Sequence, residues 1–232
     1  MVVPSKSAAF YNKKPRATSS AFDPACRDCP RLAKFLDTIR REHPGYHARP
    51  VPPFGSLRPK LLVVGLAPGM HGANRTGRPF TGDHAGVLLY GTLHKFGFAN
   101  QPGSADTRDG LRLIGCRVTN AVKCLPPQNK PRPDEVRRCN HYLAEEIALA
   151  RPRAILALGA IAHRAVLMAF GLAPGALRFV HGAVHELPGV SSGALLFDSY
   201  HCSRYNTQTK RLTASAFEAV VRDIVLFLRG CR

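Results

Sequence analysis

An apolar run bounded by Pro59 and Gly65, Lys60-Leu61-Leu62-Val63-Val64, leaves this chain few architectures. A strand with one face in water alternates apolar and polar residues. After Lys60 this one carries no polar side chain, so it reads as a strand buried on both faces, the kind found in parallel sheets covered above and below by helices. Ala154-Ile155-Leu156-Ala157-Leu158-Gly159 and Ala194-Leu195-Leu196-Phe197-Asp198 are runs of the same kind, and Arg117-Val118-Thr119-Asn120-Ala121-Val122 is β-prone. Helical spacing fills the intervals: Arg31 to Arg41, Asp83 to about Phe96, Pro133 to Ala150, a segment ending near Phe170, and Thr213 to Leu228. The alternation predicts an α/β fold in which a small four-stranded parallel sheet lies between helical layers. Ala48 to Pro59 reads as a linker and Asn100 to Gly110 as a polar surface loop.

In open α/β sheets ligands bind beyond the carboxyl ends of the strands. Three polar segments fall there. The first strand opens into Gly65-Leu66-Ala67-Pro68-Gly69, followed by His71-Gly72-Ala73-Asn74-Arg75-Thr76-Gly77-Arg78-Pro79-Phe80-Thr81-Gly82-Asp83. Asn120 ends the second strand, and the last leads into Ser199-Tyr200-His201-Cys202-Ser203-Arg204-Tyr205-Asn206-Thr207. Asp83, Asn120 and His201, far apart in sequence, can therefore share one site. Each also has a plain structural reading: helix N-cap, turn asparagine and surface histidine. A dinucleotide site is disfavoured, because the glycine loop lacks the third glycine and the acidic ribose partner of that fingerprint.

The formal net charge of +18, from 33 basic and 15 acidic residues, favours a polyanionic partner, nucleic acid above all. Residues 1–20 carry Lys6, Lys13, Lys14 and Arg16 and no apolar signal run, so they read as a basic arm, with an organellar transit peptide as the other reading. Residues 21–232 form the expected single domain, and a cytoplasmic location is expected. Seven cysteines suit metal or cluster ligation better than a disulfide framework. Cys26 and Cys29 open the first helix, and Cys124 and Cys139 bracket a proline-rich loop. Together they can form one thiolate site, for which zinc and an iron-sulfur cluster are equally good occupants on chemistry alone. Cys116, Cys202 and Cys231 receive no role. Charge and cysteines without the glycine loop would fit a non-catalytic nucleic-acid-binding module with a four-cysteine zinc site.

The motif after Gly65, with Asn120-Ala121-Val122-Lys123-Cys124 and His201-Cys202-Ser203-Arg204-Tyr205-Asn206-Thr207, resembles the uracil-DNA glycosylase superfamily, its family 5 branch most closely. The resemblance runs from about Cys26 to Leu228. It implies the three-layer α/β/α uracil-DNA glycosylase fold, a structural [4Fe-4S] cluster on Cys26, Cys29, Cys124 and Cys139, and a monomeric hydrolase. Such an enzyme removes uracil, hypoxanthine or xanthine from DNA and leaves an abasic site. Phe80 would stack on the flipped base and Asn120 would read its edge, beside Gly65, Ala67 and Gly69. His201 would stabilise the departing base, and Asp83 would orient water. Arg204, Tyr205 and Asn206 would enter the duplex, while Arg75, Arg78, Lys123, Lys130 and Arg132 would meet phosphates. Other branches place Gln-Asp or Glu where this chain has Leu66 and Ala67, which cannot activate water. Gly69 replaces the tyrosine that screens out thymine, which implies a more open pocket.

Overall fold

The computed structural model describes residues 22–187 and 193–230, so the amino-terminal arm and Cys231 lie outside the described residues. Four parallel strands form its centre: β2 (Leu61–Gly65), β3 (Cys116–Asn120), β4 (Ala154–Leu158) and β6 (Leu195–Ser199). The sheet is wider than the sequence predicts. Two short antiparallel strands, β1 (Phe54–Gly55) and β5 (Val184–Glu186), extend it to six in the order β1-β3-β2-β4-β6-β5. β1 falls within the expected linker. Strands of two and three residues are too short to show periodicity, and short edges expose little unpaired backbone.

Alternation along β2 sends Leu61 and Val63 to one face and Leu62 and Val64 to the other, all four fully buried. The first face packs against α3 (His84–Lys95) and α7 (Ala214–Leu228) through Leu89, Leu93, Phe217, Val221 and Ile224. The second packs against α1 (Pro30–Glu42), α4 (Pro133–Ala150) and α5 (Ala160–Ala169) through Leu32, Leu143, Ile147, Ala165 and Val166. This is the three-layer arrangement expected. Two short helices, α2 (Ala73–Thr76) and α6 (Arg204–Gln208), sit in the loops after β2 and β6. Among the described residues no helix is long and apolar enough to cross a membrane.

Helix boundaries follow local chemistry. Asp83 caps α3 by accepting the Gly86 N–H at 2.9 Å, and Thr213 caps α7 by accepting the Ala216 N–H at 3.1 Å. Pro30 and Pro133 occupy first-turn positions in α1 and α4, where a missing N–H costs nothing. The segment expected as a surface loop, Asn100 to Gly110, does more than connect. Its Ser104 carbonyl accepts the Gly82 N–H at 2.8 Å, and its Asp109 reaches into the loop before α3.

Candidate active site

Gly65 and Asn120 are register partners at the carboxyl ends of β2 and β3. A methyl group on Gly65 would overlap the Asn120 Oδ1 atom and come within 2.5 Å of Phe80 Cζ, so ring and amide both rest on the bare glycine backbone. The Phe80 ring in turn stacks against His201 at 5.7 Å between centroids and 30° between planes. The expected residues Gly65, Phe80, Asn120 and His201 thus come together at one sheet edge.

The Asn120 amide is buried, and its Oδ1 atom has no hydrogen-bond partner. An unsatisfied buried acceptor costs about 1–3 kcal/mol, so its retention points to a donor that arrives with a ligand. Phe80 carries a second cost. Its φ is +53°, an unusual conformation for a bulky side chain. Several contacts enforce it. Tyr90 donates its hydroxyl to the Pro79 carbonyl at 2.7 Å, and Gly86 has no side chain to collide with the Phe80 carbonyl that lies against it.

Asp83 fills the N-cap role, and its second carboxylate oxygen is left over from it. Oδ1 caps α3, whereas Oδ2 points at Gly72, where a methyl group would overlap it, and stands 3.8 Å from where a Gly69 methyl would lie. Burial raises the pKa of this carboxyl, against the lowering effect of the Gly86 and Ala85 N–H groups. Desolvation pulls His201 down to about 4, which keeps its imidazole neutral. Asn206 donates its amide to the His201 carbonyl at 2.8 Å and so holds the backbone of the loop that carries His201, a task beyond the DNA contact expected of it. Ala67 packs partly into the apolar cluster beneath the loop.

Two expected phosphate contacts are corrected. Arg78 is 5% exposed and forms a bidentate pair with Asp109 at 2.6 and 3.0 Å, while its Nε donates to Thr81 Oγ1 at 2.8 Å. Lys123 is 2% exposed, with its ammonium against Glu146 at 3.1 Å and against Thr119 Oγ1. Both cations brace the site from within and cannot reach DNA. Arg75, Lys130, Arg132, Arg204 and Tyr205 are exposed, Tyr205 to 69%.

Cys26, Cys29, Cys124 and Cys139 line one cavity with Leu32, Val122 and Tyr142. Burial, followed by the charge of neighbouring thiolates, raises the thiol pKa of Cys29 to about 11 and that of Cys124 higher still. These thiols stay protonated unless a metal takes their protons. Among the described residues, the set of three or more ligand atoms lying within 4.8 Å of one another is His163, His185 and Asp198.

Sequence reasoning missed Gly72 and Gly86, whose significance lies in what sits against them, and missed the supports Ser104 and Asp109. It also gave no role to His163, His185 and Asp198.

A sequence model of the Uracil DNA glycosylase superfamily matches residues 52–225. The chain is 48% identical over 205 residues to a type-5 uracil-DNA glycosylase of Thermus thermophilus, covering 86% of this chain and 92% of the relative. It is 43% identical over 201 residues to a type-5 enzyme of Pyrobaculum aerophilum, with 85% and 86% covered. It is 30% identical over 173 residues to a type-4 uracil-DNA glycosylase of Archaeoglobus fulgidus, with 73% and 79% covered.

Proposed function

We propose, on the premise that this chain belongs to the uracil DNA glycosylase superfamily of N-glycosidic hydrolases, that it excises uracil from DNA in base excision repair, and hypoxanthine and xanthine by the same chemistry. The observation that carries this reading is the buried, unpartnered Oδ1 of Asn120, which shares the bare backbone of Gly65 with the Phe80 ring. A base flipped out of the duplex stacks on Phe80 and donates a ring N–H to that oxygen. The reaction breaks the bond between the base nitrogen and C1′ and leaves an oxocarbenium-like sugar and an anionic base. His201, already neutral, donates an N–H to the anion, preorganised help worth about 3 kcal/mol. Water adds its oxygen to C1′ and gives up a proton.

Asp83 Oδ2, which faces the Gly69 to Gly72 turn, orients the water together with backbone groups of Gly65 to Gly69. The raised carboxyl pKa makes Asp83 a better base than a surface aspartate. Gly69 puts no side chain at the pocket wall, which supports acceptance of the larger purines. Exposed Arg75, Lys130, Arg132 and Arg204 suit phosphate contacts, and Tyr205 suits the space vacated by the flipped base.

The four cysteines would hold a [4Fe-4S] cluster that ties the start of α1 to α4 and to the segment after β3. Its contribution is structural. The Lys123 N–H donates to Cys139 Sγ at 3.4 Å, in keeping with a thiolate ligand. The chain would act as a monomer on DNA in the cytoplasm.

The test is alkaline strand cleavage of oligonucleotides bearing a single uracil, hypoxanthine or xanthine, with the visible spectrum and iron content of the same protein recorded. Abasic-site formation by a brown, iron-containing protein is the expected result. Tight DNA binding by a colourless protein that leaves every base in place would overturn the reading in favour of a zinc-bearing binding module.

A further inference from the structure

The set formed by His163, His185 and Asp198 is separate from the cysteine cavity and plays no part in the chemistry above. Asp198, fully buried in β6, faces two imidazoles. Its Oδ1 lies 2.8 Å from His163 Nδ1 and its Oδ2 lies 3.0 Å from His185 Nε2. The other ring nitrogen of His163, Nε2, is 3.0 Å from the Leu177 carbonyl. A carbonyl only accepts, so Nε2 carries that ring's proton. In a neutral imidazole Nδ1 then presents a lone pair, and it presents it to a carboxylate oxygen. Two electron pairs do not face each other at 2.8 Å unless something positive stands between them.

That positive species is a proton when no ion is bound, and a cation can take its place. Three elements, α5, β5 and β6, each supply one ligand atom, and the three atoms lie within 4.8 Å of one another. The separations of 2.8 Å to Oδ1 and 3.0 Å to Oδ2 set both ring nitrogens against one carboxylate, so an ion between the two nitrogens meets a carboxylate oxygen as well, the nitrogen and oxygen ligand set that zinc takes. The Leu177 carbonyl bond on Nε2 is the kind of partner that fixes a metal-binding histidine with its other nitrogen turned inward. The His185 side chain is 14% exposed, so solvent reaches one side of the set.

We infer that His163, His185 and Asp198 form a binding site for one divalent cation of the zinc type, distinct from the cysteine site. Asp198 lies three residues before His201, so the bound ion pins the strand end from which the His201 loop departs to the edge strand and to α5. The role is positional, with no direct contact to substrate.

Zinc is titrated into the iron-loaded holoprotein, and bound zinc and iron are counted separately. The expected result is one zinc per chain with iron unchanged, and an X-ray absorption first shell of nitrogen and oxygen without sulfur near ~2.3 Å. In His185→Ala, at a partly exposed position on an edge strand, zinc affinity should fall by at least the 10- to 100-fold that even an outer-shell loss costs, with iron retained. Asp198→Asn gives a second reading of the same loss, and zinc should raise the melting temperature of wild type alone. Equal zinc uptake by wild type and His185→Ala, a sulfur-containing shell, or no uptake by wild type would each overturn the proposal. These readouts do not depend on glycosylase activity.

Discussion

Asn120→Leu should separate stability from function. Leucine matches asparagine closely in shape, so the change removes the amide without leaving a large hole. In the free protein the Oδ1 atom is buried without a partner, a cost of about 1–3 kcal/mol that leucine does not carry. Urea denaturation should therefore show stability unchanged or raised by about 1–2 kcal/mol. Activity should move the other way. Leucine leaves the ring N–H of the flipped base buried without an acceptor, a cost of about 1–3 kcal/mol, and each 1.36 kcal/mol is tenfold in rate, so single-turnover excision of uracil should fall by about 5- to 150-fold. A variant that is destabilised by more than about 2 kcal/mol yet excises uracil at the wild-type rate would refute the argument, because Asn120 would then be a core residue whose partner had been overlooked.

Other outcomes follow from the same geometry. Gly86→Ala drives a methyl into the Phe80 carbonyl, so it should destabilise by about 1–3 kcal/mol and lower excision by displacing the ring, which urea melts and single-turnover assays would show together. Arg78→Leu strands Asp109 and should cost about 3–5 kcal/mol, whereas Arg75→Ala should leave stability alone and reduce the salt dependence of DNA binding by about one unit of slope. Burial pushes the Asp109 carboxyl up, but the Arg78 guanidinium and two backbone N–H groups outweigh it and hold it at about 2. That contribution to stability is complete above the unfolded value of about 3.9 and is lost as pH falls toward about 2, so Asp109→Asn should flatten the acid limb of a stability profile. For His201 the unfolded imidazole takes its proton near about 6.5 and the folded one at about 4, so stability falls as pH drops through that interval. Excision rates should show no step near pH ~6.5 assignable to His201, and such a step, abolished by His201→Asn, would contradict a neutral imidazole.

The strands and the residues at their carboxyl ends were legible because their signals are local. Doubly buried runs announce β2, β4 and β6, and the parallel topology carries Gly65, Asn120 and His201 to one edge whatever the loops between them do. Arg78 and Lys123 were misplaced because their burial depends on partners far along the chain. Asp109 lies 31 residues from Arg78 and Glu146 lies 23 from Lys123, and a basic residue in a glycine-rich loop looks the same whether it faces solvent or an unseen carboxylate. The glycines divide in the same way. Gly65 stands out at a strand end, while Gly86 looks like a weak point inside a helix until the Phe80 carbonyl is seen against it.

The inner arrangement explains how a site with two unfavourable features stays fixed. Phe80 is held at positive φ by Tyr90, Gly86 and the Arg78-Asp109-Ser104-Thr81 network, all of it packed away from where a base would enter. Asn120 is held by its β3 register and by the turn that follows, in which the Val51 N–H donates to the Lys123 carbonyl at 2.7 Å. Cys124 is the next residue, four beyond Asn120, and the Lys123 N–H points at Cys139. An occupant bound by the four thiols would therefore fix the far end of the turn that follows Asn120, the amide proposed to read the base. A reacting constellation tolerates displacements of only about 0.5 Å. A group that never touches the substrate can still govern the rate by setting where Asn120 stands.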